Sequence, residues 1–167
     1  RGVTYGADAF FDLLRSEGGD VTFPLVSVRD WPSIPWRGRP FHTVERHLAP
    51  GVMEAYARAR LNFIDIRNAT TGTGQKTDLS KLPAEKLLEE AHRRGILVYG
   101  TVMAFGGGDS VGAARKLFEA FAALGCDGLW ASFDDTGGGK DPISFIKMVV
   151  EVAGKYGIPG TRLAFTP

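Results

Sequence analysis

The sequence predicts an α/β fold in which buried parallel strands alternate with helices. The chain has 167 residues, of which 44% are hydrophobic, and this is enough to form one ordinary core. From Arg37 onward, short apolar runs alternate with longer segments of helical periodicity. The runs at 96–98 and 129–131 are almost continuously apolar, which is typical of parallel strands covered on both faces. Such alternation favours right-handed βαβ units.

The first thirty residues are predicted to form a helix followed by a strand. Within residues 5–16, Ala9, Phe10 and Leu13 recur at helical spacing, and Gly18-Gly19 should end this helix. Residues 23–28 should form a short strand, since Pro24 is tolerated near a strand's start. The Pro-rich residues 30–36 then form a connection to the regular part of the chain.

The regular part of the chain is predicted to contain four strand–helix units and a fifth strand. Strands are expected at residues 39–44, 61–66, 96–102, 128–133 and 163–165, and helices at 51–60, 83–94, 110–124 and 142–156. Pro50 and Pro83 lie near the first turns of their helices, where proline is favoured. Asp141 is the candidate N-cap of the last helix.

Two architectures fit this order of elements. An open doubly wound sheet would be complete with five strands, whereas a (β/α)8 barrel would be just over half formed. The repeat of about 30 residues suits a barrel of about 250 residues, but periodicity alone does not separate the two. Both architectures place functional side chains after the carboxyl ends of the strands. The candidates at those ends are His42, Glu45, Asp65, Arg67, Asn68, Met103, Phe105, Asp134, Asp135 and Thr166.

The carboxylate pair Asp134-Asp135 is the strongest chemical signal among these candidates. The two residues directly follow the apolar strand predicted at 128–133. Adjacent carboxylates in a partly dry site repel each other, which raises the pKa of at least one. A raised pKa makes a carboxyl group an effective general acid near neutral pH. The alternative is a structural role, in which either aspartate caps a turn or helix or pairs with a cation.

Other residues admit both a functional and a structural interpretation. Phe105 follows a strand and is the better candidate for stacking on a sugar, whereas Trp130 lies within a strand and is predicted to be core. His42 and His47, together with Asp65 and Asp134, are ligand types that bind metals. Their spacing matches neither HxH nor HExxH, so a hydrogen-bonded pocket histidine is the simpler interpretation.

The charge and cysteine content of the chain bear on its partners and on its chemistry. The formal net charge is +1, from 20 basic and 19 acidic residues, so we expect neither nucleic acid nor a membrane surface as a partner. Five arginines are interpreted as solvated surface: Arg58, Arg60, Arg67, Arg93 and Arg94. Cys126 is the single cysteine and begins an apolar strand, which predicts a buried, inert thiol.

Two segments near the start of the chain carry a family resemblance. Residues 2–14, GVTYGADAFFDLL, resemble the last helix of the small α/β domain that precedes the barrel in several hexosaminidase families. Residues 28–38, VRDWPSIPWRG, are similar to the start of the barrel in those families, which include glycoside hydrolase families 20 and 84. The resemblance implies that residues 1–30 end a hexosaminidase-type α/β domain and that residues 31–167 form the first five strands of a TIM-barrel catalytic domain.

The fourth barrel strand distinguishes between the two families. Family 20 enzymes have an Asp-Glu pair after this strand, whereas residues 130–136, WASFDDT, resemble the paired aspartates of family 84, the β-N-acetylglucosaminidases and O-GlcNAcases. Residues 163–167, LAFTP, are also similar to a strand that ends in a Pro-Thr segment in that family. By this resemblance, Asp134 orients the 2-acetamido group of the substrate and Asp135 is the general acid and base.

The resemblance implies substrate-assisted, retaining hydrolysis of terminal β-linked N-acetylglucosamine or N-acetylhexosamine from a glycan or glycoconjugate. Such a reaction needs no metal and no cofactor. His42, Glu45, Asn68, Phe105 and Thr166 are then the predicted substrate-binding residues, and export to the periplasm or cell exterior is an expectation for a hexosaminidase. The chain reads as a fragment of a longer protein, so we expect the isolated 167 residues to be inactive.

Two alternatives stay open. After Arg37-Gly38 the chain continues Arg39-Pro40-Phe41, where family 84 enzymes have a Glu-Gly-Phe-Tyr-Gly segment. This departure leaves room for a non-catalytic, carbohydrate-binding relative. The second alternative is another TIM-barrel hydrolase that depends on a metal bound by His42 and Asp134.

Overall fold

A computed structural model describes residues 2–29, 33–39, 44–67, 83–103, 110–133 and 142–166. The strands are β1 (Arg15–Glu17), β2 (Asp20–Thr22), β3 (Gly38–Arg39), β4 (Phe63–Arg67), β5 (Leu97–Met103), β6 (Gly128–Ser132) and β7 (Leu163–Thr166). The helices are α1 (Gly2–Leu13), α2 (Val44–His47), α3 (Val52–Arg58), α4 (Ala84–Arg93), α5 (Ser110–Leu124) and α6 (Pro142–Lys155). Within these ranges, no helix combines the length and the apolar character that crossing a membrane requires.

The main sheet has five parallel strands in the order β3-β4-β5-β6-β7, which is also their order in the chain. The sheet curls into a half-barrel. Each of the strands β4 to β7 pairs with the strand that precedes it in the chain, so the described strands show no reversal of order of the kind found in a doubly wound sheet. This arrangement agrees with the first five strands of a barrel and confirms the predicted α/β class.

One face of the sheet packs against the helices and forms the core. Ile64, Ile66 and Val98 point to this face, where they join a buried cluster with Phe118 and Phe121 of α5. A Cβ atom on Gly100 would overlap the Phe121 ring, so glycine allows helix α5 to lie close to strand β5. The amphipathic pattern that predicted helices α4, α5 and α6 therefore reflects this packing.

The opposite face of the sheet is the concave interior of the half-barrel. Because side chains alternate along a strand, Phe63, Tyr99 and Trp130 point away from the helices. Their rings contact one another: the Phe63 and Tyr99 centroids are 5.8 Å apart, and those of Phe63 and Trp130 are 6.1 Å apart. Gly128 makes room for the Tyr99 ring on this face.

The region before the sheet differs from the prediction. Helix α1 ends at Leu13, three residues earlier than predicted, and strands β1 and β2 form an antiparallel hairpin. Gly18 and Gly19 make its turn, with φ angles of 62° and 93°, which glycine adopts without strain. The strand predicted at 23–28 is wrong, since these residues form no regular element. The predicted division into a domain of residues 1–30 and a barrel of residues 31–167 stays a prediction.

The strand predicted at 39–44 is confirmed at Arg39, which belongs to β3, and wrong at Val44, which begins the short helix α2. Residues 40–43 lie outside the described residues. Val44 and His47 are three residues apart and both buried, so a single helical turn directs them to the same side. The other predicted strands and helices are present with ends shifted by up to two residues, and α5 has the predicted bounds.

Candidate functional site

The carboxyl ends of the parallel strands carry polar side chains on the concave face. The strand register places Arg67, Thr101 and Trp130 at one level across β4, β5 and β6. Met103 and Ser132, with Thr166 of β7, form the next level toward the carboxyl ends. These are the levels at which a barrel presents its functional groups.

Aromatic rings occupy the amino-terminal half of the same face. Trp36 lies 5.1 Å from Phe63 and 5.3 Å from Tyr99 between ring centroids. A pocket of about 210 Å³ opens beside these rings; its lining residues are Pro35, Trp36, Asn62, Phe63, Leu97, Tyr99, Thr161 and Arg162. The pocket lies at the amino ends of the strands and contains none of the predicted site residues. The face therefore changes from aromatic to polar along the strands.

Asp65 and Arg67 form a buried ion pair on strand β4. Asp65 is fully buried, the Arg67 side chain is 10% exposed, and the Arg67 Nε and Asp65 Oδ2 atoms are 3.5 Å apart. The two residues are on the same face because they are separated by two positions along a strand. The guanidinium also reaches across to β5, where its NH1 atom lies 3.7 Å from Met103 Sδ. The prediction that Arg67 is solvated surface is wrong, because the carboxylate of Asp65 compensates its charge inside the half-barrel.

His47 links helix α2 to the edge of strand β4. Its side chain is fully buried, and its Nε2 atom lies 2.9 Å from the backbone oxygen of Asp65. This contact engages a backbone oxygen on the edge of β4, one residue past the part of β4 that pairs with the short strand β3. In the part of the chain that the structure describes, no group of three or more His, Cys, Asp or Glu side chains is arranged to hold a metal ion. His42 and Asp134, which were the proposed ligands, lie outside the described residues.

Trp130 and Thr166 are joined by a short hydrogen bond between neighbouring strands. The indole Nε1–H of Trp130 donates to Thr166 Oγ1 over 2.6 Å. Both side chains are partly buried. The backbone oxygen of Thr166 accepts a further bond from the N–H of Phe133 at 3.0 Å, which extends the pairing of β6 with β7 past Ser132. Thr166 is thus held at the carboxyl edge by both its side chain and its backbone.

Thr101 of β5 places a buried hydroxyl between Arg67 of β4 and Trp130 of β6. It pairs with Arg67 on one side and Trp130 on the other in the strand register. The side chain is fully buried, and its Oγ1 atom has no hydrogen-bond partner among the described residues. Arg67, Thr101 and Trp130 therefore form a continuous polar strip above the aromatic rings.

The predicted site residues divide between described and undescribed parts of the chain. Thr166 is at the end of β7, as expected, and Glu45 is exposed in the first turn of α2. The predicted catalytic residues and three predicted substrate-binding residues lie outside the described residues: Asp134, Asp135, His42, Asn68 and Phe105. Their roles stay predictions.

Trp130 is the feature of this site that the sequence analysis missed. It was interpreted as core because it lies within a strand. The ring does pack against Phe63, but its indole nitrogen is turned toward the carboxyl edge. The sequence feature that could have indicated this hydrogen bond is the indole N–H, since a buried tryptophan usually finds a hydrogen-bond acceptor. Cys126 behaves as predicted: it is buried, and desolvation, helped by the charge of Asp127, raises its pKa to about 12.

Comparison with known proteins identifies a structural neighbour. No protein-family model and no curated protein matches the sequence. Among solved structures, a proposed alpha-N-acetylgalactosaminidase from Bacillus halodurans C-125 aligns with a TM-score of 0.52 and 13% sequence identity. The two chains share a fold. The alignment covers 80% of this chain and 48% of the other, so the chain spans about half the length of the structure that it matches. The fold is therefore one that a proposed glycosidase also has.

Proposed function

We propose that the full-length protein containing this chain is a retaining N-acetylhexosaminidase that removes terminal β-linked N-acetylglucosamine or a related N-acetylhexosamine. The observation that carries the proposal is the position of Asp134 and Asp135 in the chain. In the sequence they come two and three residues after Ser132, which ends β6, the fourth of the five parallel strands. Carboxyl ends of barrel strands are where catalytic residues are found.

The shared fold supports the same class of enzyme. The neighbour's name specifies an α-N-acetylgalactosaminidase, so its sugar and its anomeric configuration both differ from those proposed here. What the two have in common is an N-acetylated hexose as the glycone. The partly buried hydroxyl of Thr166 at the carboxyl edge also suits a sugar, because carbohydrate sites use a few oriented polar groups.

In the proposed mechanism, Asp134 accepts a hydrogen bond from the acetamido N–H and orients the group. The acetamido carbonyl oxygen attacks the anomeric carbon while Asp135 transfers its proton to the departing glycosidic oxygen. This step releases the alcohol and forms an oxazolinium ion whose charge Asp134 balances. Asp135, now a carboxylate, removes a proton from water as the water adds to the anomeric carbon. This addition opens the oxazolinium ring and restores the acetamido group. Two displacements at one carbon retain its configuration, and one water molecule is consumed.

The test is hydrolysis of nitrophenyl β-N-acetylglucosaminide by the full-length protein and its Asp135→Asn variant. We expect kcat/KM to fall at least 100-fold, which is the typical contribution of a general acid or base. The loss should be larger for a disaccharide, because an alkoxide leaving group needs protonation more than nitrophenolate does. Asp12→Asn is the matched control, since its side chain is 77% exposed and belongs to helix α1.

The outcomes of this test are distinct. Equal turnover by the wild type and the Asp135→Asn variant would remove Asp135 from the mechanism. Turnover only of the α-linked N-acetylgalactosaminide would keep the enzyme class but change the sugar and configuration. Sugar binding without turnover of either substrate would favour a non-catalytic carbohydrate-binding relative.

A further inference from the structure

The bond from Trp130 occupies one acceptor position of the Thr166 hydroxyl. An indole N–H can donate a hydrogen bond but cannot accept one, whereas a hydroxyl can do both. Because the Trp130 Nε1 and Thr166 Oγ1 atoms are 2.6 Å apart, the threonine oxygen must be the acceptor. Trp130 therefore occupies one of the two lone pairs of this oxygen and leaves the single hydroxyl hydrogen for a different partner.

The surroundings of Thr166 place this donor at the carboxyl edge of the concave face. Thr166 is the last residue of β7 and pairs in register with Ser132, two residues before Asp134 in the chain. Within the described ranges, the Thr166 hydroxyl makes no hydrogen bond other than the one with Trp130. The side chain is only partly buried, so a ligand at the carboxyl edge has access to it.

The position of Trp130 is itself fixed by packing. Its ring lies 6.1 Å from Phe63, on the aromatic part of the concave face. It is also held in the strand register between Thr101 of β5 and Ala164 of β7. The indole can therefore orient Thr166 without moving when a ligand binds.

We infer that Trp130 is a positioning residue that orients the Thr166 hydroxyl as a hydrogen-bond donor, and that this donor binds an uncharged acceptor oxygen of the sugar. The inference rests on the proposed function and deepens it. In the proposed mechanism Asp134 supplies an acceptor, so a recognition site for an N-acetylhexosamine also needs donors for its carbonyl, ring and hydroxyl oxygens. Thr166 is such a donor, and Trp130 acts only through it.

The experiment is a double-mutant cycle in the full-length protein with Trp130→Phe, Thr166→Val and both changes together. Phenylalanine keeps an aromatic ring against Phe63 but removes the N–H, and valine keeps the shape of threonine but removes the hydroxyl. We expect Thr166→Val to raise KM about 5- to 10-fold, as for one neutral hydrogen bond. Thr166→Ser retains the hydroxyl and should therefore raise KM less than Thr166→Val does.

The cycle separates a positioning role from a packing role. Trp130→Phe should raise KM several-fold when residue 166 is threonine and should have no further effect when it is valine. An equal effect in both backgrounds would show that Trp130 acts through packing alone and would overturn the inference. The indole N–H resonance of Trp130 in nuclear magnetic resonance gives a second readout, since it should shift in Thr166→Val even without a ligand.

Binding of N-acetylglucosamine by calorimetry distinguishes failure of this inference from failure of the proposed function. Normal hydrolysis with unchanged binding by Thr166→Val would overturn the inference and leave the enzyme assignment intact. Absence of hydrolysis, with sugar binding that weakens in Thr166→Val, would support the inference and refute the hydrolytic function. Absence of both hydrolysis and binding would overturn both.

Discussion

Asp65 and Arg67 place two opposite charges where water hardly reaches. Removing one charge of a buried pair takes the opposite charge away from the other, which is more destabilising than replacing both. We therefore expect Asp65→Asn to lower the free energy of unfolding by about 3 kcal/mol, measured by urea denaturation. The double variant Asp65→Asn/Arg67→Met should recover part of this loss.

The exposed pair of Glu54 and Arg58 provides the control for this prediction. Their side chains are 60% and 78% exposed and lie 3.7 Å apart. Because water screens such a pair, Glu54→Gln should change the free energy of unfolding by less than about 0.5 kcal/mol. A similar small effect of Asp65→Asn would mean that its carboxylate does not compensate the Arg67 guanidinium.

Because the thiol of Cys126 is buried, we expect the free energy of unfolding to decrease at high pH. Burial raises the pKa of its thiol from the ordinary value of 9.0 to about 12. Between these values the unfolded chain loses the thiol proton while the folded chain keeps it, so stability falls as pH rises through this window. Below pH 9 the thiol is protonated in both states and has no such effect.

The matched variant for this prediction is Cys126→Ala. Its free energy of unfolding should decrease less between pH 9 and pH 11 than that of the wild type, as followed by urea denaturation at each pH. Alkylation of Cys126, mapped by mass spectrometry, should also be slow in the native protein and fast in urea. Rapid alkylation of the native protein at pH 8 would contradict the buried state of the thiol.

At the scale of elements, strong periodicity made some parts of the fold predictable and its absence hid others. Helix α5 was predicted with its observed bounds because its apolar residues repeat over fifteen positions. The hairpin β1–β2 was missed because its residues are exposed and show no apolar alternation. Gly18-Gly19 is a signal both for the end of a helix and for a hairpin turn, and only the structure separates the two.

Close packing of α5 on β5 leads to a prediction at Gly100. A methyl group there would overlap the Phe121 ring, so Gly100→Ala should destabilise the protein by about 1–3 kcal/mol through overpacking. Gly154→Ala is the matched control, because this position in α6 has open space around it. Alanine also favours a helix more than glycine does, so the control should be neutral or stabilising. Thermal unfolding of both variants tests the pair, and equal effects would contradict the packing argument.

At the scale of the whole molecule, the architecture placed the candidate site but did not give its contacts. The alternation of strands and helices correctly indicated that Thr166 lies at a carboxyl end, on the same edge of the sheet as the ends of β4, β5 and β6. The bond from Trp130 could not be predicted, since it depends on the register between β6 and β7. The buried pair of Asp65 and Arg67 likewise depends on what covers the concave face, which no local pattern encodes.

The half-barrel also predicts how the 167-residue chain behaves by itself. Several large apolar side chains are exposed, among them Phe11 at 66%, Ile34 at 64% and Phe165 at 38%. Among the described residues, β7 has no strand beyond it, and an open strand edge beside apolar surface promotes association. We expect the isolated chain to elute from gel filtration as species larger than a monomer and to bind a hydrophobic dye. A soluble monomer with a sharp cooperative melting transition would contradict this.

The agreement between strand order and chain order has a consequence for synthesis on the ribosome. Chains emerge from the amino terminus, and each parallel strand after β3 pairs with the one that emerged immediately before it. The strand with which each new strand pairs has therefore been synthesised before the new strand is made. The half-barrel can grow one strand and helix at a time during translation, without waiting for a distant segment to close the sheet.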